Sequence, residues 1–262
     1  MLPPFAKSVP SRDDHEELAQ LEEEGARRIA AALRAQQIAL ELTPGGVTVD
    51  ATLYNIRSSL DRNSGQLLDA LTAFLAAAAA VGIETAVASI PYVPAVGFSW
   101  ELANQAAADF VNGYAFDLVT GINNTTEAKL RGVMQRWILD GGTLDELADG
   151  VRPIFAYEPD TAWIERLLGI DRGYLIAETE ATRAYVEGKV SAYTSSNLAD
   201  YPPQKRPPDD SHPRCRCDVV LDKMADGSWH WIWLTAFDEL VCDYCGPLHM
   251  QSVGLAKDAP GG

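Results

Sequence analysis

Residues 212–245 read HPRCRCDVVLDKMADGSWHWIWLTAFDELVCDYC, and this stretch decides the C-terminal fold. It opens on Cys215-Arg216-Cys217 and closes on Cys242-Asp243-Tyr244-Cys245. Between the pairs, Asp218–Lys223 predicts one strand and residues 229–235 predict a second. Trp229, Trp231 and Trp233 alternate there with His230, Ile232 and Leu234. Asp226-Gly227 is the turn signal between them. An antiparallel hairpin keeps its two open ends side by side. It therefore carries Cys217 toward the segment that leads to Cys242, and both pairs meet without help from another domain.

Four thiolates in a tetrahedron at about 2.3 Å suit zinc, and an all-cysteine set is a closed, structural site. The expected metal ligands are Cys215, Cys217, Cys242 and Cys245. The same residues admit other readings. Two disulfides would need an oxidising compartment and a strained C-x-C bridge. A redox C-x-x-C normally opens a helix after a strand, and it would leave the first pair unexplained. Buried thiols without metal are the third. His212 and His249 lie close in sequence and are candidate substitutes for a cysteine, or supports outside the coordination sphere. A histidine that left one position open would allow an activated water, the chemistry of a zinc-dependent nuclease or hydrolase. The deaminase pattern, H-E-x-x-H, a phosphate loop and a dinucleotide fingerprint are all absent from the sequence.

Working outward, the chain has 262 residues, nearly half of them apolar, and a formal net charge of −16. That balance argues against strong non-specific DNA binding, which needs clustered Lys and Arg. The start, Met1-Leu2-Pro3-Pro4, lacks the charged and apolar regions of a secretory signal, so disulfides are not expected. The most apolar run, residues 70–83, is short for a bilayer span and reads as a packed helix, so no membrane partner is expected.

The remainder reads as helical. Residues 13–42 carry Leu18, Leu21, Ile29 and Leu33 at helical spacing. Residues 47–54 suit a strand or the approach to another helix. Residues 60–89, 98–119 and 125–139 predict further helices, the last capped at Asn124 or Thr125. Thr143 and Glu146 form a capping box for a short helix to about residue 154. Residues 160–168 and 171–195 predict two more. Residues 201–208 hold four prolines and predict an extended linker. The expected class is mainly α with a small C-terminal β-hairpin metal module (α+β). The expected divisions are 1–90, 91–200, a linker over 201–210, a metal module over 211–252 and a loose tail over 253–262.

Residues 233–245, with Asp238-Glu239-Leu240-Val241-Cys242-Asp243-Tyr244-Cys245, resemble a segment of the phage Mu F family, the minor head or head-morphogenesis proteins of tailed phages. His212-Pro213-Arg214-Cys215-Arg216-Cys217 resembles the family's other cysteine segment. Residues 176–185, IAETEATRAY, resemble its helical part, and the likeness extends over about residues 110–250. The two cysteine segments stand in reversed order here, which puts transfer of loop geometry in doubt. The resemblance implies a non-enzymatic structural protein of the virion, at the capsid interior or portal vertex, and in the host cytoplasm during assembly. Its implied partners are the portal and the major capsid protein, with multiple copies per virion. Glu180 and Arg183, three apart on one helix face, form either an exposed pair or a docking device that reaches Asp238 and the metal module.

Overall fold

A computed structural model describes residues 16–39, 49–89, 99–140, 144–155, 172–208, 215–235 and 243–259. The described residues form α1 (Glu16–Ala39), α2 (Val49–Arg62), α3 (Ser64–Ser89), α4 (Trp100–Asp140), α5 (Leu144–Phe155) and α6 (Arg172–Ser195). They also form β1 (Asp218–Lys223), β2 (Trp229–Leu234) and β3 (Ser252–Lys257). The chain is therefore mainly α with a small antiparallel sheet, as the sequence predicts.

Several boundaries differ from expectation. Residues 49–54 belong to α2, the helical one of the two alternatives expected there. The helix expected over 60–89 is broken at Asn63, whose side-chain Nδ2 donates to Ser59 O at 2.8 Å. Ser64 Oγ donates to Leu60 O at 2.8 Å, closing the same turn. Conversely, the two helices expected on either side of residue 122 are one 41-residue helix, α4. Thr125 and Thr126 do not cap; their hydroxyls donate back to Gly121 O and Ile122 O at 2.8 and 2.7 Å. That i−4 bonding is the alternative open to a threonine inside a helix. Thr143 and the helix expected over 160–168 lie outside the described residues. The apolar run over 70–83 sits inside α3, which is 26 residues long and apolar enough to cross a bilayer by length and composition. Burial in protein accounts for much of that character, since 56% of its most apolar window is buried.

The chain divides into two compact units, each drawn from separate stretches of sequence. One comprises Met1–Glu24, Phe74–Val111 and Ile176–Gly262; the other comprises Gly25–Ala73 and Asn112–Leu175. The core of the second unit gathers Ile56 and Leu60 of α2, Leu130 and Met134 of α4, and Leu147, Val151, Ile154 and Phe155 of α5. A buried polar chain lies beside it, with Gln36 Nε2 donating to Asn123 Oδ1 at 3.2 Å and Asn123 Nδ2 donating to Ser64 Oγ at 2.8 Å.

In the first unit, residues 74–89 of α3 pack on α6 at van der Waals limits. A Cβ added to Gly82 would stand 2.0 Å from Tyr185 O, and one added to Gly188 would stand 2.0 Å from Ala79 O. Each glycine thus admits the backbone of the opposite helix. Ser89 Oγ and Tyr193 Oη share a buried hydrogen bond at 2.7 Å.

The sheet order is β1-β2-β3. Val219 pairs with Trp233 and Leu221 with Trp231, so these side chains share one pleated face. Trp231 meets Tyr193 of α6 edge-to-face at 5.8 Å, and its Nε1 donates to Tyr201 O at 2.8 Å. On the other face Val220 and Ile232 form a small cluster with Met224, Leu234 and Met250. The expected loose tail over 253–262 is corrected: its residues up to Lys257 belong to β3, which pairs with β2 through two irregularities. Those shifts, and a strand of SVGLAK with Gly254 at φ 145, dilute the period-2 signal. The proline segment over 201–208 is tied to β3 rather than spanning free. Tyr201 N–H donates to Ala256 O at 3.0 Å and Gln204 N–H to Val253 O at 2.8 Å.

Candidate metal centre

Cys217 immediately precedes β1, whose first residue Asp218 pairs with Leu234 near the end of β2. That end of β2 is fastened to the chain after Cys245. Met250 N–H donates to Trp233 O at 2.8 Å, and Trp233 N–H donates to Gln251 O at 3.0 Å. A 3-10 turn over Gly246–Leu248 links Cys245 to this clasp, with Leu248 N–H donating to Cys245 O at 3.0 Å. Met250 adopts the left-handed region, φ 63, where the turn reverses into the sheet. The sheet thus delivers Cys245 to the end occupied by Cys215 and Cys217.

The three thiols converge. Their sulfurs lie within 4.8 Å of one another, and Cys215 Sγ and Cys245 Sγ are 4.0 Å apart. Tetrahedral zinc with Zn–S of about 2.3 Å requires sulfurs about 3.8 Å apart. The trio therefore fits one metal ion with little adjustment. None of these three cysteines is in a disulfide, and their exposures are 0%, 2% and 0%. Cys217 N–H also lies 3.5 Å from Cys215 Sγ, a donor placed to stabilise a thiolate. Cys242, the fourth expected ligand, lies outside the described residues, as do His212 and Asp238.

His249 is described. Its Nδ1 accepts from Thr235 N–H at 3.2 Å and lies 2.9 Å from Thr235 Oγ1. An Nδ1 that accepts a backbone N–H leaves the proton of a neutral ring on Nε2, so neither nitrogen presents a lone pair to a metal in this arrangement. Burial lowers the ring's pKa below its usual value, which favours that neutral form. The histidine acts as a clasp between the end of β2 and the turn after Cys245.

Glu180 and Arg183 form an ion pair at 3.4 Å on α6. The contacts that sequence reasoning missed lie beside it. Arg216, between the first two cysteines, reaches Glu178 at 3.9 Å and Glu22 of α1 at 4.0 Å. Thr182 Oγ1 donates to Cys215 O at 2.6 Å. Lys189 Nζ donates to Asp218 Oδ2 at 2.5 Å, and both side chains are buried. Lys189 also stands 5.3 Å from the centre of the Tyr185 ring. Its place in an apolar helical stripe, four residues from both Tyr185 and Tyr193, was the signal available in the sequence. A lysine there needs a buried carboxylate.

Comparison with family models, with curated proteins and with solved structures gave no match.

Proposed function

We propose that this chain is a structural minor head protein of a tailed phage, similar to the phage Mu F family, with a zinc clip that stiffens its C-terminal sheet. Zinc would be held by Cys215, Cys217, Cys245 and Cys242. The observation that carries this reading is the meeting of two of the segments that bear the resemblance. The 176–185 helix touches the C-x-C segment directly, through Thr182 on Cys215 and Arg216 on Glu178.

Reversed segment order is no obstacle to such a site, because coordination depends on spatial position and the hairpin closes the loop. Zinc binding to small cysteine sites contributes on the order of 10 kcal/mol to folding. A half-exposed ion pair contributes under about 1 kcal/mol. Metal would therefore dominate the stability of a sheet whose outer cluster is only a few side chains. The engaged Nδ1 of His249 counts against an open, water-activating position and so against the nuclease or hydrolase reading. Partners would be the portal and the major capsid protein, and the helices would supply the contact surfaces.

The test is association during assembly. Tagged protein expressed with the portal and coat genes of its own phage should co-purify with portal rings or proheads and be present in virions. Absence from both assembly intermediates and virions would overturn the assignment.

A further inference from the structure

Within the second unit, α4 and α5 border an open cleft of about 580 Å3, lined in part by Lys129, Gly132, Val133, Arg136, Pro153 and Ile154. The four α4 residues stand at i, i+3, i+4 and i+7, one stripe of the helix, which sets the two cations about 10 Å apart along its axis. A Cβ added to Gly132 would meet nothing within 4 Å, so the space above it is open.

Arg172, the first residue of α6, meets the cleft lining through Ile154. Its Nη1 donates to Thr126 Oγ1 at 2.8 Å and to Ile154 O at 3.2 Å, and its Nη2 donates to Ile122 O at 3.0 Å. All three acceptors are neutral. Ile154 O lies at the C-terminal end of α5 and offers only the partial negative charge of a helix dipole, while the start of α6 adds positive character. Burial pulls the Arg172 pKa down to about 10. The Lys129 ammonium is lowered by burial and then by the charge of Arg172. Glu127, the acidic neighbour on α4, is already engaged by Arg57 at 3.9 Å and Arg131 at 3.3 Å. Among the described residues no carboxylate pairs with Lys129, Arg136 or Arg172. Arg172 is the buried charge of the three, while Lys129 and Arg136 are exposed and line the open cleft, so the local field there favours an anion.

We propose that this cleft binds a phosphate group, held by Lys129 and Arg136, with the charge of Arg172, felt at Lys129, adding to the attraction. Phosphate carries more negative charge than one carboxylate and accepts from several guanidinium and ammonium donors at once. The volume lies in the range of small-ligand sites, roughly 300–1,000 Å3. The phosphate could be free, as in a nucleotide, or part of a nucleic-acid strand. The net charge of −16 disfavours a long polyanion and favours the compact source.

The full chain should be titrated at near-physiological salt, without divalent metal, with pyrophosphate, ADP, a short single-stranded DNA and a glutamate-rich peptide. Saturable binding of pyrophosphate or ADP with a rise in Tm is expected. It should weaken about tenfold or more in Lys129→Gln/Arg136→Gln, whose side chains are exposed and whose loss spares the core. Gly132→Leu keeps every charge, fills the cleft and should abolish binding without lowering Tm. Tighter binding of DNA than of ADP assigns the phosphate to a strand; the reverse assigns it to a compact ligand. Binding of none of the phosphate compounds, unchanged binding in both variants, or binding of the acidic peptide alone would overturn the proposal.

Discussion

The Thr182 hydroxyl donates to the Cys215 carbonyl across 2.6 Å, joining α6 to the first thiol segment at a buried point. Glu178, Thr182 and Lys189 occupy one stripe of α6 and meet Arg216, Cys215 and Asp218 in turn. These three contacts differ in burial, and burial ranks them. Thr182→Val removes a buried hydroxyl donor from the Cys215 carbonyl and should cost about 1–3 kcal/mol in urea denaturation. Arg216→Ala removes two long contacts, at 3.9 and 4.0 Å, made by a guanidinium that is 35% exposed, and should cost about 1 kcal/mol or less. The opposite ranking would mean that α6 and the thiol segment are held by charge rather than by the buried hydrogen bond.

Lys189 and Asp218 are a fully desolvated pair. Removing one partner leaves the other charged and buried, so Lys189→Met alone should cost about 3–5 kcal/mol. Lys189→Met combined with Asp218→Leu should recover most of that loss, because two apolar groups leave no orphan charge. A double variant no more stable than the worse single one would contradict this account.

The glycines of α3 and α6 are steric devices. Gly82→Ala and Gly188→Ala each place a methyl 2.0 Å from a carbonyl oxygen of the facing helix, which no rotamer can relieve. Overpacking of about 1–3 kcal/mol or more should exceed the gain of about 1 kcal/mol from helix propensity. Gly113→Ala and Gly121→Ala in α4 meet nothing within 4 Å and should instead stabilise. Equal behaviour of the two sets in thermal melts would refute the close approach.

Burial holds the His249 pKa below its usual 6.5. The folded state therefore prefers the neutral ring, and its contribution is intact above pH 6.5. It is lost as the pH falls through the lower, folded-state pKa. Protonation also removes the acceptor used by Thr235 N–H. In NMR titration of metal-loaded protein the His249 ring should show a midpoint below 6.5; a midpoint at 6.5 would place the ring in solvent, and one above it beside a carboxylate.

The hairpin was legible because turn chemistry and a strict Trp alternation agree over residues 218–234. β3 was not, since bulged pairing breaks the alternation and leaves only Val253 and Ala256 buried on the strand. The single long α4 was hidden by Thr125, which resembles a cap in sequence but bonds back to the preceding turn. Three of the four expected thiols do converge, yet the contacts that seat them were out of reach. Arg216 and Thr182 have no local pattern that names their partners 38 and 33 residues away.

X-ray absorption at the zinc edge, on protein purified without chelators, tests the central claim most directly. One zinc per chain with four sulfur ligands at about 2.3 Å is the predicted result. Absence of bound metal, or a shell in which nitrogen or oxygen replaces sulfur, would contradict a closed structural clip at Cys215, Cys217, Cys242 and Cys245.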